Sequence, residues 1–238
     1  MNSSDNNPAK AGKRSIRHWT GSLQQFWVSE ASLTFLLLVL SIFIFIVIPH
    51  VPYSLLGQII FFTFYFLLLS SGLPFLRSTR RLFLVLLLVV APIGLAFFEF
   101  IYGTSWAFVA TDLFMVFYGS LLCVIILQRT FAQGPVTSRR IQGSVIVYLL
   151  LGLIFAMIYH AINIIWHFAA FKGLSSSNRQ EFMYFSMTTL TTVGYGDISP
   201  AIPTARSFSN LEALIGQLYP AILIARLVSL EIMSNARK

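Results

Sequence analysis

The sequence predicts an all-α membrane protein with six transmembrane helices and a short re-entrant helix between the fifth and sixth. Three observations predict it. Of the 238 residues only 10% are charged and 57% are hydrophobic, whereas a water-facing domain carries roughly 25% charged residues. The apolar residues come in long blocks rather than in alternating or one-faced patterns. The basic residues cluster in the gaps between those blocks. A net charge of +8 distributed in this way reads as a topology signal, not as a nucleic-acid surface, and no nucleic-acid partner is expected.

Residues 1–29 are expected to form a cytoplasmic segment. Lys10, Lys13, Arg14 and Arg17 precede an apolar set, Ile16, Trp19, Leu23, Phe26 and Trp27, spaced by threes and fours. That spacing fits a helix lying in the interface with its basic residues on anionic headgroups; an irregular tail with scattered aromatics is the other reading. The next apolar block is too long for a signal-peptide core, so it reads as a retained helix.

A helix rises about 1.5 Å per residue, so about 20 apolar residues cross the hydrocarbon. Six stretches reach that length: Ala31–Pro49, Leu55–Phe75, Leu82–Ile101, Ala107–Leu127, Ser144–Ile165 and Phe208–Ser229. Pro49 and Pro52 separate the first two, and Gly134-Pro135 marks the loop before the fifth. Residues 30–130 thus form a four-helix domain, and residues 131–238 a second unit with two spans. The single Cys123 lies inside a block and leaves no intrachain disulfide.

Threading the chain through six times puts thirteen of the Lys and Arg residues on the side of the N-terminus. Only Lys172, Arg179 and Arg206 fall opposite. Basic residues stay cytoplasmic, so both termini are expected inside and the 166–207 connection outside. The expected location is the cell membrane.

That external connection holds the segment with chemistry. Asn178 and Glu181 have capping-box spacing and open a helical stretch, Gln180–Leu190, too short to cross a membrane. Irregular backbone after such a helix must line a water-filled cavity or be buried in protein. The segment is Thr192-Val193-Gly194-Tyr195-Gly196-Asp197. Glycines two apart allow alternate residues to take dihedrals open mainly to glycine, so that successive carbonyls point the same way. Thr192 adds a hydroxyl below that ladder, and Val193 and Tyr195 are free to brace it from behind.

These six residues resemble the selectivity filter of the potassium channel family. The order of re-entrant helix, filter and apolar helix is similar to the family's pore domain over about Ser144–Glu231. The resemblance implies a homotetramer around one axis, with Thr192, Val193, Gly194 and Tyr195 binding K+ through carbonyls, Thr192 also through its hydroxyl. K+ is then the permeant ligand, and no other cofactor is expected. The re-entrant helices would aim their C-terminal dipole ends at the central cavity. Gly216 falls where the family places a hinge glycine. Asp197, Tyr184 and Thr188 are the expected filter supports, with a hydrogen bond expected between Tyr184 and Asp197. The family's aromatic pair is Tyr184-Phe185 here, and Thr188 stands where some members carry a carboxylate.

Voltage-gated relatives place a sensor in their first four spans. Moving one charge through 100 mV is worth about 2.3 kcal/mol, so sensing needs several cations in the fourth span. Between Ala107 and Leu127 the only charge is Asp112, so steep voltage gating is not expected. Only about nine residues follow Ser229, so no C-terminal regulatory domain is expected.

Some intramembrane polar groups keep two readings. Glu99 and Asp112 either share a proton or cation, or are hydrated near the interface. His160, with Asn163 and His167, either senses pH or packs at the outer end of the fifth span. Glu212 either hydrogen-bonds structurally, near the filter base or a subunit contact, or modulates conduction. Pro220 is expected to kink the last helix. Two rivals stand outside the channel reading: a potassium transporter component, which would need further degenerate filters, and a non-conducting or modulatory membrane subunit. No nucleophile, metal-ligand or phosphate-loop constellation supports an enzyme.

Overall fold

The computed structural model describes residues 37–50, 94, 98, 103–132, 137–176 and 178–235. The interfacial helix, the second span, most of the third, Glu99 and the Arg77–Arg81 cluster lie outside the described residues. Helices are numbered here among the described residues. They are α1 (Leu37–Val47), α2 (Ser105–Thr130), α3 (Ser138–Ile165), α4 (Arg179–Leu190) and α5 (Pro203–Asn235). A two-stranded antiparallel pair, β1 (Phe171–Lys172) and β2 (Ser199–Pro200), closes the loops around α4.

Three of these, α2, α3 and α5, are long and apolar enough to cross a membrane. The apolar stretch of α2 alone has 24 residues, roughly 36 Å against a hydrocarbon core of about 30 Å. They correspond to the expected fourth, fifth and sixth spans.

Two helices begin earlier than apolar length predicted, for physical reasons. Helix α3 starts at Ser138, six residues before Ser144. Its first turns are polar, with Arg139, Arg140 and Gln142, so hydropathy could not see them. Helix α5 starts at Pro203, where a proline has its φ preset and loses no hydrogen bond. It runs unbroken through Pro220. At the other end, helix continues past Pro49 to His50 after a π-turn at Phe43–Val47. Proline cannot donate and crowds the carbonyl four residues back, which a widened turn accommodates. The His50 ring meets the Ile46 carbonyl at 2.8 Å.

The core lies where α3 meets α4. Tyr159, Phe171, Phe182 and Phe185 are all buried. Phe171 packs edge-on against Tyr159, Phe182 and Phe185 at 5.2–5.5 Å between ring centres. Such pairs contribute about 0.5–1.5 kcal/mol each beyond burial. Gly152 lets α4 approach α3: a Cβ there would stand 2.3 Å from the Met187 methyl. Helix α2 lies along the other side of α3, its buried Met115, Tyr118 and Leu122 joining the same core. Phe98, from the expected third span, packs on Trp106 at 4.9 Å.

Helix α5 is the exception. In its apolar window 11% of residues are buried, against 67% in α3. Leu211, Leu214, Leu218, Ile222, Ile224, Val228 and Ile232 are exposed. Among the described residues, α3 and α4 cover one side of this helix, at Ala205, Ser209 and Glu212, and leave most of its apolar residues bare.

Candidate ion-coordinating site

Helix α4 begins with a polar cap. The Asn178 side chain accepts from the Glu181 amide at 3.2 Å, as a capping residue should. The reciprocal half of the capping box is replaced: the Glu181 carboxylate reaches further back and accepts from the Ser175 amide at 2.9 Å, the Ser176 amide and the Ser175 hydroxyl. This ties the entrance loop to the helix.

At its other end the hydroxyls turn inward. Thr188 and Thr189 both donate to the Phe185 carbonyl, and Thr191 donates to Met187. The Thr188 side chain therefore does not stand in for a carboxylate behind the filter. Its main chain does the holding: the Thr188 carbonyl accepts from Val193 at 2.9 Å and from Gly194 at 3.1 Å. Thr192 donates to the Thr189 carbonyl at 2.9 Å.

Beyond that anchor the backbone alternates. Thr192, Gly194 and Gly196 have φ of 59°, 55° and 82°, while Val193 and Tyr195 keep negative φ. Alternation between the two hands turns each peptide plane over, so successive carbonyls face one side instead of opposite sides. Glycine enters this region freely. A β-branched residue does not, and Thr192 carries about 1–3 kcal/mol of strain. Sequence spacing identified the two glycines but missed Thr192 as the third member of the series. Among the described residues no donor meets the carbonyls of Thr192, Val193, Gly194 or Tyr195. All residues from Thr191 to Asp197 are exposed.

The side chains behind this ladder are half-held. Tyr195 is 72% exposed and stacks on Tyr184, with planes 1° apart and centres 6.3 Å apart. Tyr184 donates to Asp197 at 2.7 Å, as expected from sequence. That hydrogen bond holds the Asp197 carboxyl below the usual carboxylate range and raises the Tyr184 phenol. Past Asp197 the chain is secured again, by Lys172 opposite Ser199 in the strand pair and by the Ala201 amide on the Ala170 carbonyl at 2.8 Å.

Glu212 makes the hydrogen bonds of its structural reading. It is fully buried within one chain, accepts from the Tyr159 hydroxyl at 2.6 Å and lies 2.5 Å from the Ser186 hydroxyl. It therefore joins α3, α4 and α5 and is not on an exposed surface of the chain. Gly216 is a close-approach position in a continuous helix: a Cβ there would lie 1.9 Å from the Leu190 carbonyl oxygen. That same carbonyl accepts from Tyr148 at 3.0 Å.

Asp112 corrects an expectation. It is not hydrated at the interface but fully buried. Its Oδ1 accepts from Arg179 Nε at 2.8 Å, and its Oδ2 faces His160 Nδ1 at 2.5 Å. The grouping of His160, Asn163 and His167 also separates: the first two are buried and His167 is exposed. Asn163 accepts from the Ala170 amide at 3.3 Å. Sequence reading counted Arg179 only as an outside cation, because its partner lies 67 positions away.

A family model described as an ion channel matches residues 143–232. Protein LctB of Bacillus caldotenax is 37% identical over 87 residues, 34% of this chain and 64% of that protein. LctB of Geobacillus stearothermophilus is 36% identical over 80 residues, 31% of this chain and 59% of that protein. Two pore potassium channel c of Oryza sativa subsp. japonica is 49% identical over 47 residues, 20% of this chain and 10% of that protein. The chain thus spans less than two thirds of the length of each of these relatives. No solved structure matches it. The chain is thus similar to ion channels over residues 143–232 and to a potassium channel over 47 residues.

Proposed function

We propose that this chain is one subunit of a homotetrameric, potassium-selective channel that conducts K+ passively across the cell membrane. The observation that carries the reading is the alternating backbone at Thr192, Gly194 and Gly196 with its unmet carbonyls. A cation entering a pore loses hydration, and rings of main-chain carbonyls replace it. The carbonyls of Thr192, Val193, Gly194 and Tyr195, with the Thr192 hydroxyl, would supply those rings. One chain supplies one strand of each ring, so closure requires further copies around an axis.

Two features support assembly. Val193 and Tyr195 are 53% and 72% exposed, which leaves the brace behind the filter incomplete within one chain. Helix α5 leaves most of its apolar window uncovered, as an inner helix shared between neighbouring copies, pore and lipid would. The cytoplasmic placing of both termini and the attraction of the basic segments to anionic lipid follow from the charge distribution.

The reading is tested with the full chain in lipid vesicles loaded with K+. A K+ efflux blocked by Ba2+, with Na+ efflux far slower, is expected; no efflux, or Na+ efflux at the K+ rate, contradicts it. Voltage dependence is expected to be shallow, since α2 holds no Lys or Arg before Arg129. Gating-charge recordings should find less than about one elementary charge per subunit, where a sensor would move several.

A further inference from the structure

Resting on that channel reading, we propose that Asp112 is a positioning residue for the filter. Through Arg179 it fixes the N-terminal end of the pore helix α4, and thereby the carbonyl ladder at the helix's other end. Asp112 lies on α2, outside the matched segment 143–232. The contact therefore joins the preceding helical domain to the filter-bearing unit.

Both oxygens of Asp112 are committed, one to Arg179 Nε and the other to His160 Nδ1. The Asp112 side chain is fully buried, and that of Arg179 is 13% exposed. The Arg179 guanidinium also lies 5.7 Å from the ring centre of Phe108, one turn before Asp112 on α2. His160 in turn meets the edge of Phe182, on the first turn of α4, at 5.6 Å. Helix α4 is thus gripped at its start by α2 directly and by α3 through His160.

Stability alone gives no account of this arrangement. Burying an ion pair costs several kcal/mol per ion in desolvation, and an apolar pair of the same volume often does as well. What a carboxylate and a guanidinium add is direction. Arg179 is the first residue of α4, where the helix dipole disfavours a cation and favours an anion. Asp112 supplies that anion from α2, so the pore helix has a defined seat.

The seat matters because α4 is short and stiff. Its 12 residues span roughly 18 Å at 1.5 Å per residue. At the far end, the Thr188 carbonyl holds the amides of Val193 and Gly194. A few degrees of tilt at Arg179 displaces Thr188 by on the order of 1 Å, while a binding constellation needs its groups within about 0.5 Å.

The test uses the full chain in vesicles and compares wild type with Asp112→Asn, Arg179→Gln, the double variant and Arg179→Lys. Three quantities are read: assembly by size, the K+ concentration giving half-maximal thermal stabilisation, and the K+/Na+ flux ratio. K+ bound only by the folded filter raises the unfolding temperature by mass action, so the half-point reports the filter and not general packing. Asp112→Asn should assemble yet raise that half-point about tenfold, with the double variant no worse than the worse single, as expected for two residues sharing one interaction. Arg179→Lys keeps the charge but loses the planar fork, and should shift the half-point in the same direction by less. If Asp112→Asn does not assemble, Arg179→Lys and the double variant decide by the same half-point. Assembled variants with the wild-type half-point and flux ratio overturn the proposal and leave the channel reading standing. A wild type without K+-dependent stabilisation or flux overturns the channel reading itself.

Discussion

From Thr191 to Asp197 every residue is exposed, and the carbonyls of Thr192 to Tyr195 meet no donor among the described residues. Elsewhere in the same unit, Asp112, Tyr159, Ser186 and Glu212 are buried, and each has a polar partner. The two regions use opposite bonding rules. In the scaffold, Asp112 with Arg179 and His160, and Glu212 with Tyr159 and Ser186, satisfy one another across helices α2 to α5. Among the described residues, the Thr191–Asp197 backbone is fastened by Thr188 and Thr189 below and by Asp197 and the strand pair above. Acceptors left unmet by protein are those able to meet an ion, and the dense bonding behind keeps them from collapsing onto other donors.

Breaking the alternation should have the largest effect. Gly194 has φ of 55° with open space around a built Cβ, so Gly194→Ala is a test of backbone hand and not of crowding. A side chain there costs roughly 1–2 kcal/mol per residue, repeated in every copy around the axis. Reconstituted Gly194→Ala is expected to assemble but to lose K+ flux by about 100-fold or more, since 1.4 kcal/mol is a factor of ten. Near-normal selective flux would separate the glycine from the mechanism.

A break in the scaffold should act on stability before conduction. Glu212→Leu leaves the Tyr159 hydroxyl buried without its acceptor, a loss of about 1–3 kcal/mol. Thermal unfolding of purified protein should register it, with the K+/Na+ ratio of the surviving assembly retained. A change in selectivity at unchanged stability would place Glu212 in the conduction path instead.

The smallest effect is expected where the two regions meet. The Tyr184 hydrogen bond lowers the Asp197 pKa. The bond therefore contributes at all pH values above the ordinary carboxylate range, and the contribution disappears as pH falls through the lowered value. Tyr184→Phe returns Asp197 toward its ordinary value. Acid inhibition of K+ flux should then begin at a less acidic pH than in wild type. Identical acid profiles would mean that the bond does not hold the filter's outer end.

Local chemistry was legible in the sequence, and long-range pairing was not. The glycine spacing at 194 and 196, the Asn178 cap and the Tyr184–Asp197 bond all involve residues within a few turns of one another, where backbone rules apply directly. Apolar length found α2, α3 and α5 but not the polar first turns of α3 and α5, because hydropathy reports the solvent and not the helix. Asp112 with Arg179, and Tyr159 with Glu212, are 67 and 53 positions apart. No periodicity links such positions, and each side chain taken alone looks hydrated. Thr192 escaped for another reason: threonine's own preference argues against a left-handed φ, and only the anchored chain around it imposes one.

The most direct measurement is the reversal potential of the reconstituted full chain with K+ on one side of the bilayer and Na+ on the other. A carbonyl ladder matched to K+ predicts a shift toward the K+ potential of more than about 100 mV, since each tenfold preference for a univalent ion is worth about 59 mV. A reversal potential near zero, with current flowing, would contradict the account at its centre.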